Sequence, residues 1–459
     1  MSHSPARRAA RRPRAAVVTA LAALTALTAA GCAGPSVGAT GGSEASADAV
    51  DWSQVEPAKE ITWWSNHPGA SQEVEQQLID DFTAETGISV KLVTAGADYD
   101  EVAQRFQAAS QTDDLPDLVI ASDVWWFRYH LNDQIMPVDD VLEFLDADAA
   151  DLQPALYSDY EYEDQHWAVP YARSTPLFYY NKDLWKAAGL PDRGPETWAE
   201  LEEWDASLKK EVPEKGSTFG LSTGPSWGAW WFENMIWGQG GAYSDGFELT
   251  LDTPEAIAGG QFVHDLFHES GVATLSADDA MADFSSGLIA STIGSTGSLK
   301  GALDAATFEV GTAYLPDGPQ GGGTPTGGTG LAIPSSRTPE EQLAAAMFLE
   351  FLTNTENTAT FSQATGYMPV RTSAVESDTM TATYEETPQF RTAVDQLADK
   401  ARKQDDVRVF VPGADALLND ALEQIIIEGA DPATAFESVT PRIETAYTEN
   451  VEPYLDAQD

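Results

Sequence analysis

The apolar positions change period several times along the chain. Ile61 to Trp64 (ITWW) is β-branched and aromatic and predicts a strand. Val74, Leu78, Ile79 and Phe82 then recur at helical spacing between Ser71 and Thr86, and Gly87 stands where a helix-ending glycine belongs. ISVKLV (88–93) predicts a second strand. Val102, Phe106 and Ala109 mark a second helix from Tyr99 to Ala109, and LPDLVIA (115–121) a third strand. This βαβαβ rhythm predicts an α/β domain with a mainly parallel sheet.

The rhythm then breaks and restarts. Helices are expected over 195–212, 254–270 and 338–353, a buried strand over 288–293 (LIASTI), and mostly helix from about Pro388 to Leu455. PDGPQGGGTPTGGTG (316–330) reads as a long loop, functional or mobile by its length. Two α/β lobes joined by a hinge, with a ligand held between them, fit this order. The expected lobes are 52–170 with 293–355, and 171–292 with 356–459.

The N-terminus reads as an address. Arg7, Arg8, Arg11, Arg12 and Arg14 precede an apolar, small-residue run from Ala15 to Ala30, too short to span a bilayer as a stable helix. Ala29-Ala30-Gly31-Cys32 follows and looks like a bacterial lipobox, although Ala29 stands where Leu or Val is usual. The expectation is a lipoprotein signal over 1–32, lipidation of Cys32, and a flexible Gly- and Ser-containing tether over 33–51. Cys32 is the only cysteine, so no intramolecular disulfide is possible.

Composition narrows the partners. The formal charge is −48, with 73 acidic residues against 25 basic ones, which argues against nucleic-acid binding. Any anion site must be built locally, against the field of the whole protein. Thirteen tryptophans exceed what core packing alone asks of a soluble chain, and an aromatic-lined cleft would use several.

A search for catalysis finds little. His264 and His268 lie four apart on a helix without a zincin motif, no GxSxG elbow occurs, and the glycine-rich 316–330 lacks the Lys-Ser/Thr of a phosphate-binding loop. Acidic pairs such as Asp80-Asp81, Asp113-Asp114 and Asp139-Asp140 carry no information in a chain this acidic. A binding protein without catalytic residues, cofactor or metal is the expectation.

Several stretches, in order across the folded chain, resemble the family-1 extracellular solute-binding proteins of ABC importers. They are ITWWSNHPG (61–69), AGADYDEVAQRF (95–106), DVWWF (123–127), VPYARSTPLFYYNKDLW (169–185), GGAYSD (240–245), STGSL (295–299), PTGGTGLAIP (325–334), FSQATGYMPVR (361–371) and VRVFVPG (407–413). More narrowly, they resemble the glycerol-3-phosphate/glycerophosphodiester-binding members, especially the actinobacterial branch known for glycerophosphocholine, and STGSL, GGTGLAIP and TGYMPVR together are the more specific stretches. The resemblance implies a two-lobe periplasmic-binding-protein fold of the maltose-binding type, a monomer, and ABC permease transmembrane subunits as partners.

The resemblance also implies site residues. Arg408 matches the phosphate-binding arginine, whose guanidinium forks onto two oxygens and stays charged in a cleft; the alternative is an ion pair with one of the many carboxylates. Ser295 and Ser298 sit at a strand-to-helix turn suited to phosphate oxygens, with the register between them open. Gly327 and Gly328 let backbone approach the ligand, with a plain flexible loop as the alternative, and Tyr367 offers a phenol to the phosphate. Tyr99 and Asp123 match positions that hold glycerol hydroxyls, and Ser174 contacts ligand from the hinge side; Arg173 beside it is a contact or a structural residue.

Trp227 and Trp230 align with the stretch that packs on the ligand. Members preferring the choline ester can carry an aliphatic residue near Trp227, so its indole either narrows the pocket toward glycerol-3-phosphate or cages choline. The rival readings are an importer protein for an oligosaccharide, an exported phosphodiesterase or glycosidase, and an adhesin.

Overall fold

The computed structural model describes residues 50–456 apart from 68, 69, 111, 113, 225 and 278. The expected signal, Cys32 and nearly all of the tether therefore lie outside the described residues. At the tether's expected end, Asp51 already belongs to the fold. Its carboxylate accepts from the Ser53 N–H at 3.2 Å and caps a turn that buries Trp52.

From Val50 onward the chain forms one compact unit built on two five-stranded sheets. The strands are β1 (Glu60–Ser65), β2 (Ser89–Thr94), β3 (Leu118–Ser122), β4 (Val169–Ser174), β5 (Pro176–Asn181), β6 (Phe219–Leu221), β7 (Ala273–Leu275), β8 (Ser291–Ser295), β9 (Val310–Ala313) and β10 (Gly327–Ala332). The first sheet runs β2-β1-β3-β10-β4 and the second β7-β6-β8-β5-β9.

The opening βαβαβ reading holds. Helices α1 (Ala70–Thr86) and α2 (Tyr99–Ala109) carry the chain between β1, β2 and β3, and β1 pairs parallel with both neighbours. Parallel neighbours need such crossovers, whereas the antiparallel pairs formed by the later strands join segments far apart in sequence. Thus β10 pairs antiparallel with β3 and β4, and β5 antiparallel with β8 and β9, so the sheets are more mixed than expected.

Helices α3 (Trp198–Leu208), α4 (Gly228–Gly238), α5 (Pro254–His268), α6 (Leu299–Ala305), α7 (Pro339–Thr353), α8 (Thr355–Thr365), α9 (Gln389–Lys400), α10 (Asp406–Phe410), α11 (Ala414–Glu428) and α12 (Pro432–Asn450) complete the frame. Thr338 and Glu341 close a capping box at the start of α7, worth about 1 kcal/mol.

Two expectations are corrected. Segment 316–330 is not one long loop. Gly327 to Gly330 begin β10, a fully buried strand between β3 and β4 that glycine-rich composition hides from a propensity reading. The lobe boundaries also move. Strands β8 and β9 hydrogen-bond to β5 and put 293–313 in the second lobe, while 171–174 complete β4 in the first. Helix α8 packs on α1 and likewise stays with the first lobe.

The chain crosses between the sheets at Thr175 and near Thr324. Their hydroxyls are 2.6 Å apart, and the Gln396 amide of α9 donates to both, at 3.2 and 3.1 Å, all three side chains being buried. This knot fixes the crossing strands next to Ser174 and Gly327.

Candidate functional site

Strands β3, β4 and β8 end toward the same place, and the residues at or just past their carboxyl ends are Asp123, Ser174 and Ser295. Open α/β sheets take ligands at such ends. A cavity of about 180 Å³ lies there, lined by Tyr99, Asp123, Ser174, Ser226, Trp227, Trp230, Ser295, Ser298, Gly327, Gly328, Tyr367 and Arg408. All eleven candidate ligand residues thus surround one space. A larger cavity of about 630 Å³, with Glu163 and Asp164 on its wall as well as Arg402 and Lys403, holds none of them.

Local structure explains each placement. Asp98 caps α2 by accepting from the Glu101 N–H at 2.8 Å, and buried Val102, Ala103 and Phe106 pin the helix, which fixes Tyr99 at its start. The Asp123 N–H donates to the Gly328 carbonyl at 3.1 Å. Ser295 closes β8, its hydroxyl accepting from the Gly297 N–H at 3.1 Å, and the turn through Ser298 leads into α6. Helix α8 ends at Gly366 (φ 103°), and Tyr367 follows with its phenol 3.3 Å from that of Tyr99.

Trp227 and Trp230 stand at the start of α4 with ring centroids 5.4 Å apart, and the Trp230 indole donates to the Thr326 carbonyl at 2.8 Å. A Cβ on Gly327 would lie 2.7 Å from the Trp230 ring, and Gly328 holds φ 98° with the Ala172 carbonyl where a side chain would go. Glycine is required at both.

The electrostatics centre on Arg408, which is 2 % exposed. Its Nε is 2.8 Å from Asp415, and Nη1 is 3.8 Å from both Asp123 and Glu233. Nη1 also donates to the Gln404 side chain, whose amide donates to Asp123 at 3.0 Å. Burial alone would lower the guanidinium's pKa, but Asp415, Glu233 and Asp123 outweigh it and keep the group charged. Burial pushes the Glu233 carboxyl well above its ordinary range, and Asp415 upward too, against the pull of Arg408. Burial also raises both phenols, Tyr99 and Tyr367, so they remain neutral donors.

Arg173 lies outside the cavity's lining. Fully buried, it donates to the Tyr160 hydroxyl at 2.8 Å and to Asp159. Of the helix α5 pair, His268 places Nε2 3.1 Å from the Ile425 carbonyl, and the two histidine rings stand 4.8 Å apart.

Sequence reasoning missed Ser226, Glu233 and Asp415. Glu233 is three residues after Trp230 on α4, a same-face spacing that could have flagged it. Ser226 and Asp415 gave no signal beyond proximity to Trp227 and to VRVFVPG.

Comparison with known proteins places the chain. The family described as bacterial extracellular solute-binding protein matches residues 77–392. The sn-glycerol-3-phosphate-binding periplasmic protein UgpB of Escherichia coli (strain K12) is 27% identical over 381 residues, covering 78% of this chain and 85% of that protein. The crystal structure of UgpB from Mycobacterium tuberculosis in complex with glycerophosphocholine superposes with a TM-score of 0.81 at 42% identity, covering 86% of this chain and all of that one. The acarbose-binding GacH receptor of Streptomyces glaucescens shares the fold, with a TM-score of 0.73 at 22% identity over 85% of this chain and 99% of that one. The chain belongs to the bacterial extracellular solute-binding proteins, the extracytoplasmic ligand-capturing components of ABC importers, which are not enzymes.

Proposed function

We propose that the protein captures glycerol-3-phosphate or a glycerophosphodiester such as glycerophosphocholine in the cavity around Arg408 and delivers it to the permease by lobe closure. The observation that carries this reading is the lining itself. One buried guanidinium, two neutral phenols and the hydroxyls of Ser174, Ser295 and Ser298 face a single small space. That donor set suits phosphate oxygens and a diol. Arg408 itself stays charged among its acidic neighbours and so can face an anion.

In this reading Arg408, Ser295, Ser298, Tyr367 and the Gly327–Gly328 backbone hold the phosphate. Tyr99 and Asp123 hold the glycerol hydroxyls, Ser174 contacts ligand from the hinge side, and Trp227 and Trp230 cover the ligand. Pockets for drug-sized ligands run to roughly 300–1,000 Å³, and the 180 Å³ here fits a compact ligand better than an oligosaccharide. The curated and structural relatives named for glycerol-3-phosphate and glycerophosphocholine support the same choice.

We further propose that the mature protein is a monomer anchored at the outer face of the membrane by lipid on Cys32. Among the described residues no helix is long and apolar enough to cross a membrane. Cys32→Ala should release the protein from the membrane fraction.

Calorimetric titration of the full chain in mild detergent tests the ligand assignment. Saturable binding of either glycerol-phosphate compound, with no choline released on long incubation, is the expected result. Binding of maltose or trehalose alone would replace the reading with a carbohydrate importer protein.

A further inference from the structure

Ser226 lines the cavity although nothing in the sequence singled it out. It is a non-glycine residue at φ 57°, a left-handed conformation that costs energy for a side-chain-bearing residue. Glycine would take that conformation freely, so the retained side chain asks for a reason.

Its contacts supply one. The Ser226 N–H donates to Asp415 Oδ2 at 2.9 Å, within the second lobe, and Asp415 Oδ1 is the oxygen paired with Arg408. The Ser226 hydroxyl instead reaches across to the first lobe, donating to Asp100 Oδ2 at 3.4 Å. Asp100 is set on α2, and its other oxygen accepts from the Trp125 indole at 2.5 Å. A polar chain therefore runs Trp125–Asp100–Ser226–Asp415–Arg408, and its Asp100–Ser226 link is the one that crosses the cleft.

We propose that Ser226 is a positioning residue for lobe closure, its hydroxyl latching Asp100 when the lobes meet while its N–H keeps Asp415 set against Arg408. The inference rests on the reading that the lobes close around a glycerol-phosphate ligand. Opening breaks the hydroxyl contact and leaves the Asp415–Arg408 pair intact, because those two belong to the same lobe. Loss of the hydroxyl should therefore speed ligand release and spare capture.

The test compares Ser226→Gly, which removes the hydroxyl and relieves the left-handed backbone, with Ser226→Ala, Asp100→Ala and the Ser226→Gly/Asp100→Ala double variant. Stopped-flow release of glycerophosphocholine from the full chain should be faster by about 3- to 10-fold in each single variant, with the association rate within about 2-fold of the parent. The double variant should be no faster than the singles, since both remove one contact. Ser226→Gly should unfold at or above the parent midpoint, which separates the effect from a folding defect.

Spin labels at Lys91→Cys and Lys215→Cys, in a Cys32→Ala background, read lobe separation without ligand. Ser226→Gly should broaden that distribution toward longer distances. Unchanged distances together with unchanged release would overturn the latch. Faster release with unchanged distances would overturn it too, making Ser226 a plain ligand contact. If the parent binds no glycerol-phosphate compound, the functional reading fails, and the distance measurement still decides the role of Ser226.

Discussion

Arg408 and Asp415 face each other at 2.8 Å beneath the cavity, one 2 % and the other 6 % exposed. The pair exists in addition to the acidic partners Asp123 and Glu233, so the guanidinium is both the centre of an ion-pair cluster and a wall of the cavity. The two readings of Arg408 open at the sequence level, anion clamp or ion-pair partner, do not exclude one another. A buried cation needs carboxylates to stay buried, and it can still offer its free edge to a ligand.

Substitution of Arg408 should therefore act on stability and binding together. Arg408→Ala leaves buried carboxylates uncompensated and should cost about 3–5 kcal/mol in urea unfolding. Arg408→Lys keeps the charge but loses the fork, so it should lower stability less while still weakening glycerol-3-phosphate binding by at least about tenfold. Equal losses of stability in the two variants would contradict the compensation argument.

Trp227 forms part of the cavity wall. Replacing its indole by leucine enlarges a cavity of only about 180 Å³, so Trp227→Leu should shift the affinity ratio toward glycerophosphocholine and away from glycerol-3-phosphate. Parallel titrations of the two ligands read the ratio. A shift in the opposite direction would mean that the indole face cages the quaternary ammonium, a contact worth about 0.5–2 kcal/mol.

The raised carboxyl of Glu233 predicts a pH dependence. Its folded pKa is above the unfolded value, so its contribution to stability is complete at low pH and is lost as pH rises through the folded value. Ionisation also adds negative charge beside the anion site. Glycerophosphocholine, whose phosphodiester charge does not itself titrate near neutrality, should bind more weakly as pH rises through that folded value. Glu233→Gln should flatten the profile.

His130 acts in the opposite direction. It is buried against Trp167, its Nε2 is 2.8 Å from the Tyr454 hydroxyl, and burial lowers its pKa from 6.5 to about 4. A depressed folded value means stability present above pH 6.5 and lost as pH falls through about 4. Acid unfolding should begin at lower pH in His130→Gln. An unchanged acid midpoint would show that His130 is not neutral in the fold.

How much of this was legible in the sequence differs from element to element. The first three strands and their helices were readable because Val74, Leu78 and Phe82 repeat at helical spacing and the strands are apolar. Strand β10 was not, since Gly327, Gly328 and Gly330 carry no β propensity, and its place in the sheet follows from close packing against Trp230 and Tyr160. The lobe boundaries failed for a related reason: β8 and β9 declare their lobe only through pairing with β5. The eleven candidate ligand residues came from the family resemblance that the motifs carry, and the fold gathers them around one cavity. Ser226 could not be read, because its contacts with Asp100 and Asp415 join segments far apart in sequence; Asp415, close to Arg408 in sequence, was one carboxylate among many.

The central claim is the glycerol-phosphate ligand, and thermal unfolding of the chain with glycerol-3-phosphate, glycerophosphocholine, maltose and trehalose tests it most directly. A ligand present at about 100 times its Kd adds about 2.7 kcal/mol. The account predicts a raised midpoint with at least one phosphate compound, reduced to about half or less in Arg408→Lys, and none with the sugars. A raised midpoint with a sugar and none with either phosphate compound would contradict it.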